Sequence, residues 1–321
     1  MLEFKHINVR NSARLNRYYK HCTYRLCEYS VGVKLMWRQH FSPMFAEAGG
    51  CLIVRNQHHG RTPFDYPVPL DPQGSVEEAL DCIDAYCREK GICPVFTQVP
   101  QEAMGLLTAR YPLLRTDSNR LWQDYLYNAQ DLIQFAGRRY SGQRNHINKF
   151  KKLYPEATFR PITPEDWEEL DQFWDAFHLA FNKENAMAKK ELCYARKLTR
   201  QIGKSWCLAG AIELEGKFIA ISLGEICGDT LICHIEKGLP QYEGVYPMMV
   251  QSFAACYGQN CAYINREDDG ADRGLRVSKT QYLPCAMGKK FTVETMTELQ
   301  RLSQVPTLVS QRLKLDALTR T

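Results

Sequence analysis

Apolar and polar positions change period several times along the chain, and each change marks an element. Residues 51–56 (CLIVRN) predict a short strand, and 64–70 predict another despite their prolines. From Ser75 onward, Val76, Ala79, Leu80 and Ile83 recur at helical spacing. Ser75-Val-Glu-Glu78 is a capping box for that helix, and Lys90-Gly91 ends it. A strand over 93–99, a helix near 101–109 and an aromatic strand over 121–127 follow. Strand, helix, strand, helix, strand is the order of a layered α/β domain.

A second unit begins after residue 128, so the expected division is 1–128 and 129–321. Residues 138–153 predict a basic helix that ends before Pro155, with Ile147 and Phe150 turned inward. Thr163-Pro-Glu-Asp166 opens the next helix, with Pro at its first position and acids near its positive end. Trp167, Leu170, Phe173, Trp174 and Phe177 give that helix a core-facing stripe. A further helix over 189–202 stops at Gly203. Three strands over 206–214, 218–226 and 230–238 are joined by turns at Glu215-Gly216 and Gly228-Asp229. A helix over 246–257 leads to a strand at 261–265. No internal repeat or low-complexity tract is present.

Composition narrows the class. With 321 residues, 45% hydrophobic and 24% charged, the chain is a folded globular protein large enough for two cores. A net charge of +5 permits an anionic partner without requiring one. The 13 cysteines lack any Cys-x-x-Cys pair, so they read as reduced core residues rather than a disulfide or zinc framework. The N-terminus carries no signal-peptide pattern and no apolar run reaches a membrane-span length, so a cytoplasmic location is expected.

Three constellations can carry chemistry. Residues 137–152 are strongly basic: Arg138, Arg139, Arg144 and Lys149, with Asn145 beside them, read either as a seat for a phosphate-rich ligand or as a solvated face. On the strand at 230–238, alternation puts His234 and Glu236 on one face with Ile232, followed by Lys237. That pair reads as a general base with a carboxylate nearby, or as a hydrogen-bonded structural pair. The run 264–279 ends a strand in a charged turn, where α/β folds place their sites. There Glu267 and Asp269 offer carboxylates, while Arg273, Arg276 and Lys279 offer cations for a phosphorylated donor or an oxyanion. His58-His59 beside Gly60 reads as a surface loop, and no metal site is expected.

The segments RLCEYSVGVKLMWRQHF (25–41), GRRYSGQRNHINKF (137–150), HIEKGLPQYEGVYPMMVQSF (234–253) and INREDDGADRGLRVSKTQYLP (264–284) resemble an uncharacterised bacterial family. That family is related to the C-terminal domain of phosphatidylglycerol lysyltransferase. The resemblance implies two tandem Gcn5-related N-acyltransferase-like domains, each a mixed central sheet flanked by helices; the meander, helix and returning strand at 206–265 agree. It also implies transfer of an acyl or aminoacyl group to a hydroxyl or amine, with aminoacyl-tRNA the favoured donor. The chain departs from the lysyltransferase in lacking its transmembrane portion, so a lipid, a peptide or a small amine remains open as acceptor. No cofactor is required in this scheme. A coenzyme-A-dependent N-acyltransferase using acyl-CoA and a non-catalytic RNA-binding module that takes tRNA are the alternatives. The glycine-rich pyrophosphate signature of acetyltransferases is absent from KGLPQYEGVYP. The oligomeric state is left open.

Overall fold

A computed structural model of the chain describes residues 2–57, 60–181 and 186–297. Fifteen strands among these residues form two sheets. The first contains β1 (Lys5–His6), β2 (Met44–Ala48), β3 (Cys51–Arg55), β4 (Phe64–Asp65), β5 (Val68–Pro69), β6 (Val95–Pro100) and β7 (Leu114–Asp117). The second contains β8 (Asp124–Asn128), β9 (Thr158–Pro161), β10 (Leu208–Leu214), β11 (Lys217–Cys227), β12 (Thr230–Gly238), β13 (Tyr263–Asn265) and β14 (Ala286–Gly288). The last strand, β15 (Lys290–Thr295), returns to the first sheet and lies between β6 and β7. The second sheet runs β14-β8-β13-β12-β11-β10-β9. The expected pair of His58 and His59 lies outside the described residues.

Local chemistry sets these elements. Ser75 accepts the Glu78 backbone N–H at the start of helix Val76–Glu89, and Ala79, Leu80 and Ile83 are buried along its inner face. Thr163 and Asp166 form the reciprocal cap ahead of helix Trp167–Ala180, whose buried residues are Leu170, Phe173, Trp174 and Phe177. Along β11, residues 218–225 are buried without a break, as in a strand covered on both faces. Ile221 and Leu223 pack on one side, and Ile219 and Ala220 on the other.

The division expected at residue 128 does not follow the sheets. β8 precedes it but contributes buried Tyr125 and Tyr127 to the second sheet, while β15 follows it and sets Val293 in the first. Nor are the cores separate. Helix Val31–Met36 packs toward β11, so Leu35 and Met36 share a cluster with Leu223, Ile232 and Ile235. All the cysteines are free thiols, and no helix among the described residues is long and apolar enough to cross a membrane.

Candidate functional site

The second sheet opens at one place. β12 and β13 run parallel and pair only from Thr230↔Tyr263 to Ile232↔Asn265. Beyond that point residues 233–238 of β12 diverge from the chain that follows Asn265, and charged side chains fill the gap. Backbone bonds between Tyr125 and residues 266 and 267 hold that chain against β8. Glu267 adopts a positive φ of 57°. A non-glycine residue costs energy in this region and keeps it only where its surroundings dictate it.

His234 lies in a β-bulge. Leu223 pairs with Ile235 and Gly224 with Cys233, leaving His234 without a register partner. The extra residue changes the alternation, so His234 and Glu236 do not share a face as the sequence predicted. His234 points toward Glu225 and Glu267, whereas Glu236 points to Arg266 on the opposite side. Nε2 of His234 is 2.8 Å from Glu225 Oε1, and Nδ1 is 2.8 Å from Glu267 Oε1. Neither ring nitrogen is free to take a proton from a substrate, and the side chain is fully buried. Burial alone would lower its proton affinity, but the bonds and charges of the two carboxylates outweigh it and raise His234 to about 9. Burial also raises Glu267, against the opposing pull of His234.

Arg266 donates from Nε to Glu236 at 2.8 Å, and its guanidinium lies over the rings of Tyr127 and Tyr282. It is 6% exposed, and its Nη1 has no hydrogen-bond partner among the described residues. Lys279 Nζ donates to the carbonyl of Arg266 at 2.5 Å and to that of Asp268. Burial lowers Lys279 below the usual lysine range, against the charges of Asp268 and Glu267. Asp269 is already committed: it accepts from Tyr125 Oη at 2.7 Å, from Arg276 and from the Ala271 N–H. It therefore pins helix Arg273–Thr280 to β8 and is not a free base. Arg273 is exposed, and Lys237 pairs with Glu191 at 2.8 Å.

The basic segment forms helix Ser141–Leu153, with Ile147 and Phe150 buried as expected. It sits beside the site, since Gln143 donates to the carbonyl of Gln281 at 2.7 Å. Its cations divide into two groups. Arg144 donates to the carbonyls of Phe135 and Gly137, Arg139 pairs with Asp131, and Lys149 pairs with Glu243. Arg138, Lys151 and Lys152 are exposed and form no ion pair among the described residues, while Asn145 is exposed beside them.

Sequence reasoning missed Glu225 and a second buried knot around Lys290. Lys290 Nζ lies 2.6 Å from Asp124, 2.7 Å from Glu28 and 3.4 Å from Cys27 Sγ. Cys27, Glu28 and Asp124 have the spacing of a metal cluster, but the ammonium already stands among them as their cation. Beside the knot, residues 24–26, 100–102, Leu126 and 287–289 line a cleft of about 380 Å³. Leu126 pairs with Asn265, so one strand separates the cleft from the open end of β13.

Comparison with known proteins bears on the fold and the family. A conserved protein of unknown function from Bacteroides thetaiotaomicron superposes with a TM-score of 0.80 at 24% identity, covering 92% of this chain and 100% of that one. L-PGS from Bacillus licheniformis superposes with a TM-score of 0.64 at 15% identity, covering 94% and 96%. An uncharacterized protein of Mycoplasmoides gallisepticum is 22% identical over 178 residues, which cover 54% of this chain and 56% of that protein. The chain thus spans about half the length of that curated relative. The architecture, two mixed sheets flanked by helices, is the one it shares with these solved structures. Residues 21–294 match the family described as phosphatidylglycerol lysyltransferase, C-terminal, and the chain belongs to that family.

Proposed function

We propose that this chain transfers an aminoacyl or acyl group from an activated donor, aminoacyl-tRNA being favoured, to a hydroxyl or amine, with Glu267 as the proton acceptor. The observation that carries this reading is Glu267 itself. Its carboxylate is held by His234 on one oxygen, its side chain is 21% exposed at the mouth of the β12/β13 opening, and burial raises its basicity. A carboxylate with raised proton affinity suits general-base work near neutral pH. Family membership supports a transferase.

In this scheme the acceptor oxygen or nitrogen attacks the donor carbonyl and loses its proton to Glu267. The new bond forms as the tetrahedral oxyanion develops beside Lys279, the cation whose charge acts on Glu267. Collapse breaks the bond to the donor oxygen, which takes the proton from Glu267. His234, both nitrogens of which are engaged, orients Glu267 instead of acting as the base first expected, and Glu236 holds Arg266.

The test is an incubation of the chain with tRNA charged with labelled amino acid and either phosphatidylglycerol vesicles or small amines. Label is expected on an acceptor, with turnover. Tight tRNA binding without turnover would favour the RNA-binding module. Stabilisation by acetyl-CoA but not charged tRNA would favour the coenzyme-A enzyme; a ligand at 100 times its Kd adds about 2.7 kcal/mol.

Donor binding is expected to use the unpaired cations. In the triple variant R138Q/K151Q/K152Q the melting temperature should stay unchanged while tRNA affinity falls. Each lost phosphate contact should flatten the slope of log affinity against log salt by roughly 0.7 to 0.9. Arg144 is left in place because it caps carbonyl groups. An unchanged affinity and slope would return the segment to a solvated face.

A further inference from the structure

We propose that Glu225 is a positioning residue, which fixes His234 as an imidazolium and thereby sets the orientation and basicity of Glu267. The proposal rests on the reading of Glu267 as proton acceptor. Glu225 is the single acid in the apolar strand β11 and is completely buried. Its Oε1 accepts the Gly32 N–H at 2.5 Å and lies 2.8 Å from His234 Nε2; its Oε2 accepts the Val31 N–H at 3.1 Å. Three nitrogens thus converge on this one buried carboxylate.

The protonation of the ring follows from geometry. A neutral imidazole carries one N–H, so one of its nitrogens would turn a lone pair toward a carboxylate oxygen at 2.8 Å. An imidazolium donates to both, and the proton affinity of His234, raised to about 9, agrees. The ring has no room to rotate away. A Cβ added at Gly32 would lie 2.3 Å from His234 Nε2 and 2.9 Å from Glu225 Oε1, so helix Val31–Met36 closes over the pair with only glycine between.

The titratable groups around the triad come from several elements. β11 supplies Glu225 and the Cys227 thiol, 3.8 Å from it. β12 supplies Cys233, whose thiol burial pushes well up. Helix Val31–Met36 contributes backbone N–H groups at its start. The Tyr19 hydroxyl of helix Ser12–Tyr19 and the Cys207 thiol ahead of β10, both raised by burial, also feel the charge of Glu225. Asp124 from β8 raises Glu267, whereas Lys279 from helix Arg273–Thr280 lowers it. Glu267 also raises the Cys27 thiol from the segment ahead of that first helix. Within this set, Glu225 and Glu267 are the charges that bond the ring, and only Glu267 reaches the opening.

Removing the Glu225 charge should release the ring proton and leave Glu267 without its cation. A neighbouring opposite charge lowers a carboxyl pKa by about 1 to 3 units, so its loss should raise Glu267 by that amount. In E225Q the acid limb of the transfer pH profile is expected to move up by about 1 to 3 units, with kcat reduced and donor KM unchanged. E225D, which restores the charge, should bring the limb back. A merely structural role would lower folding and activity together without moving the limb.

Two readouts on the full chain do not need activity. Nitrogen NMR of wild-type His234 at pH 7.5 should show both ring N–H groups, and carbon NMR should show Glu267 titrating higher in E225Q than in the wild type. If no donor supports transfer, these still decide the proposal. A single ring N–H in the wild type, or an unmoved Glu267 titration in E225Q, overturns it. Should E225Q fail to fold, E225D and the wild-type spectrum carry the test.

Discussion

Glu267→Gln is expected to lower kcat/KM for group transfer by roughly 10²- to 10⁴-fold, the usual contribution of a positioned general base. The amide keeps the shape of the side chain and can still accept from His234 Nδ1, so the melting temperature should move little. Donor KM should also hold, because Glu267 is asked to take a proton and not to bind the donor. The loss should therefore fall on kcat, as it does when an interaction is made only in the transition state. Glu236→Gln is the informative comparison. Glu236 faces Arg266 at 2.8 Å across the opposite side of β12, so its loss should loosen the guanidinium and reduce stability, with activity falling only as the fold does. Steady-state kinetics beside thermal melts separates the two variants. A Glu267→Gln protein within tenfold of wild type would take the base role from this residue.

Local periodicity exposed much of the fold. The capped helix Val76–Glu89, the aromatic stripe of Trp167–Ala180 and the meander of β10, β11 and β12 were all legible because each is fixed by residues close in sequence. What depended on distant pairing was not. Nothing in the letters 290–295 shows that β15 crosses back between β6 and β7, nor that Lys290 would meet Asp124. The segments around His234 and Glu267 were each singled out for chemistry, but strict alternation put Glu236 on the wrong side. One bulge residue, invisible in a two-residue period, reverses every side chain after it. Glu225 did leave a signal. A lone acid between Gly224 and Ile226 in a strand otherwise apolar on both faces must find a partner in the core, and His234 supplies it. The basic helix was legible as charge, but not in its division between cations that cap or pair and cations that stay free.

Lys290→Met should destabilise the chain by about 3–5 kcal/mol at pH 8, because it strands buried carboxylates that now share one ammonium. Lys290 is 4% exposed; Asp124 lies 2.6 Å away, Glu28 2.7 Å and Asp268 3.8 Å. Asp124 also accepts the Cys27 N–H at 2.7 Å and Asn265 Nδ2 at 2.8 Å, so it cannot turn away to water. The ammonium belongs to the first sheet and Asp124 to the second, which makes the knot a tie between them. The penalty should depend on pH in a fixed direction. Burial raises Glu28 to about 7 even with Lys290 lowering it, so without the lysine it should rise further. A carboxyl whose folded pKa exceeds its unfolded value contributes most below the unfolded value, near 4.5, and loses that contribution as pH climbs through the folded one. The wild type loses its Glu28 contribution by about pH 7, whereas in the variant the decline continues beyond it. The difference between them should thus be smallest near pH 5 and grow toward pH 8. Urea unfolding at the two pH values measures this, and the double variant K290M/D124N should recover part of the loss because one stranded charge is gone. A penalty under about 1 kcal/mol at pH 8, or one equal at both pH values, would mean that the knot does not bind the sheets through charge.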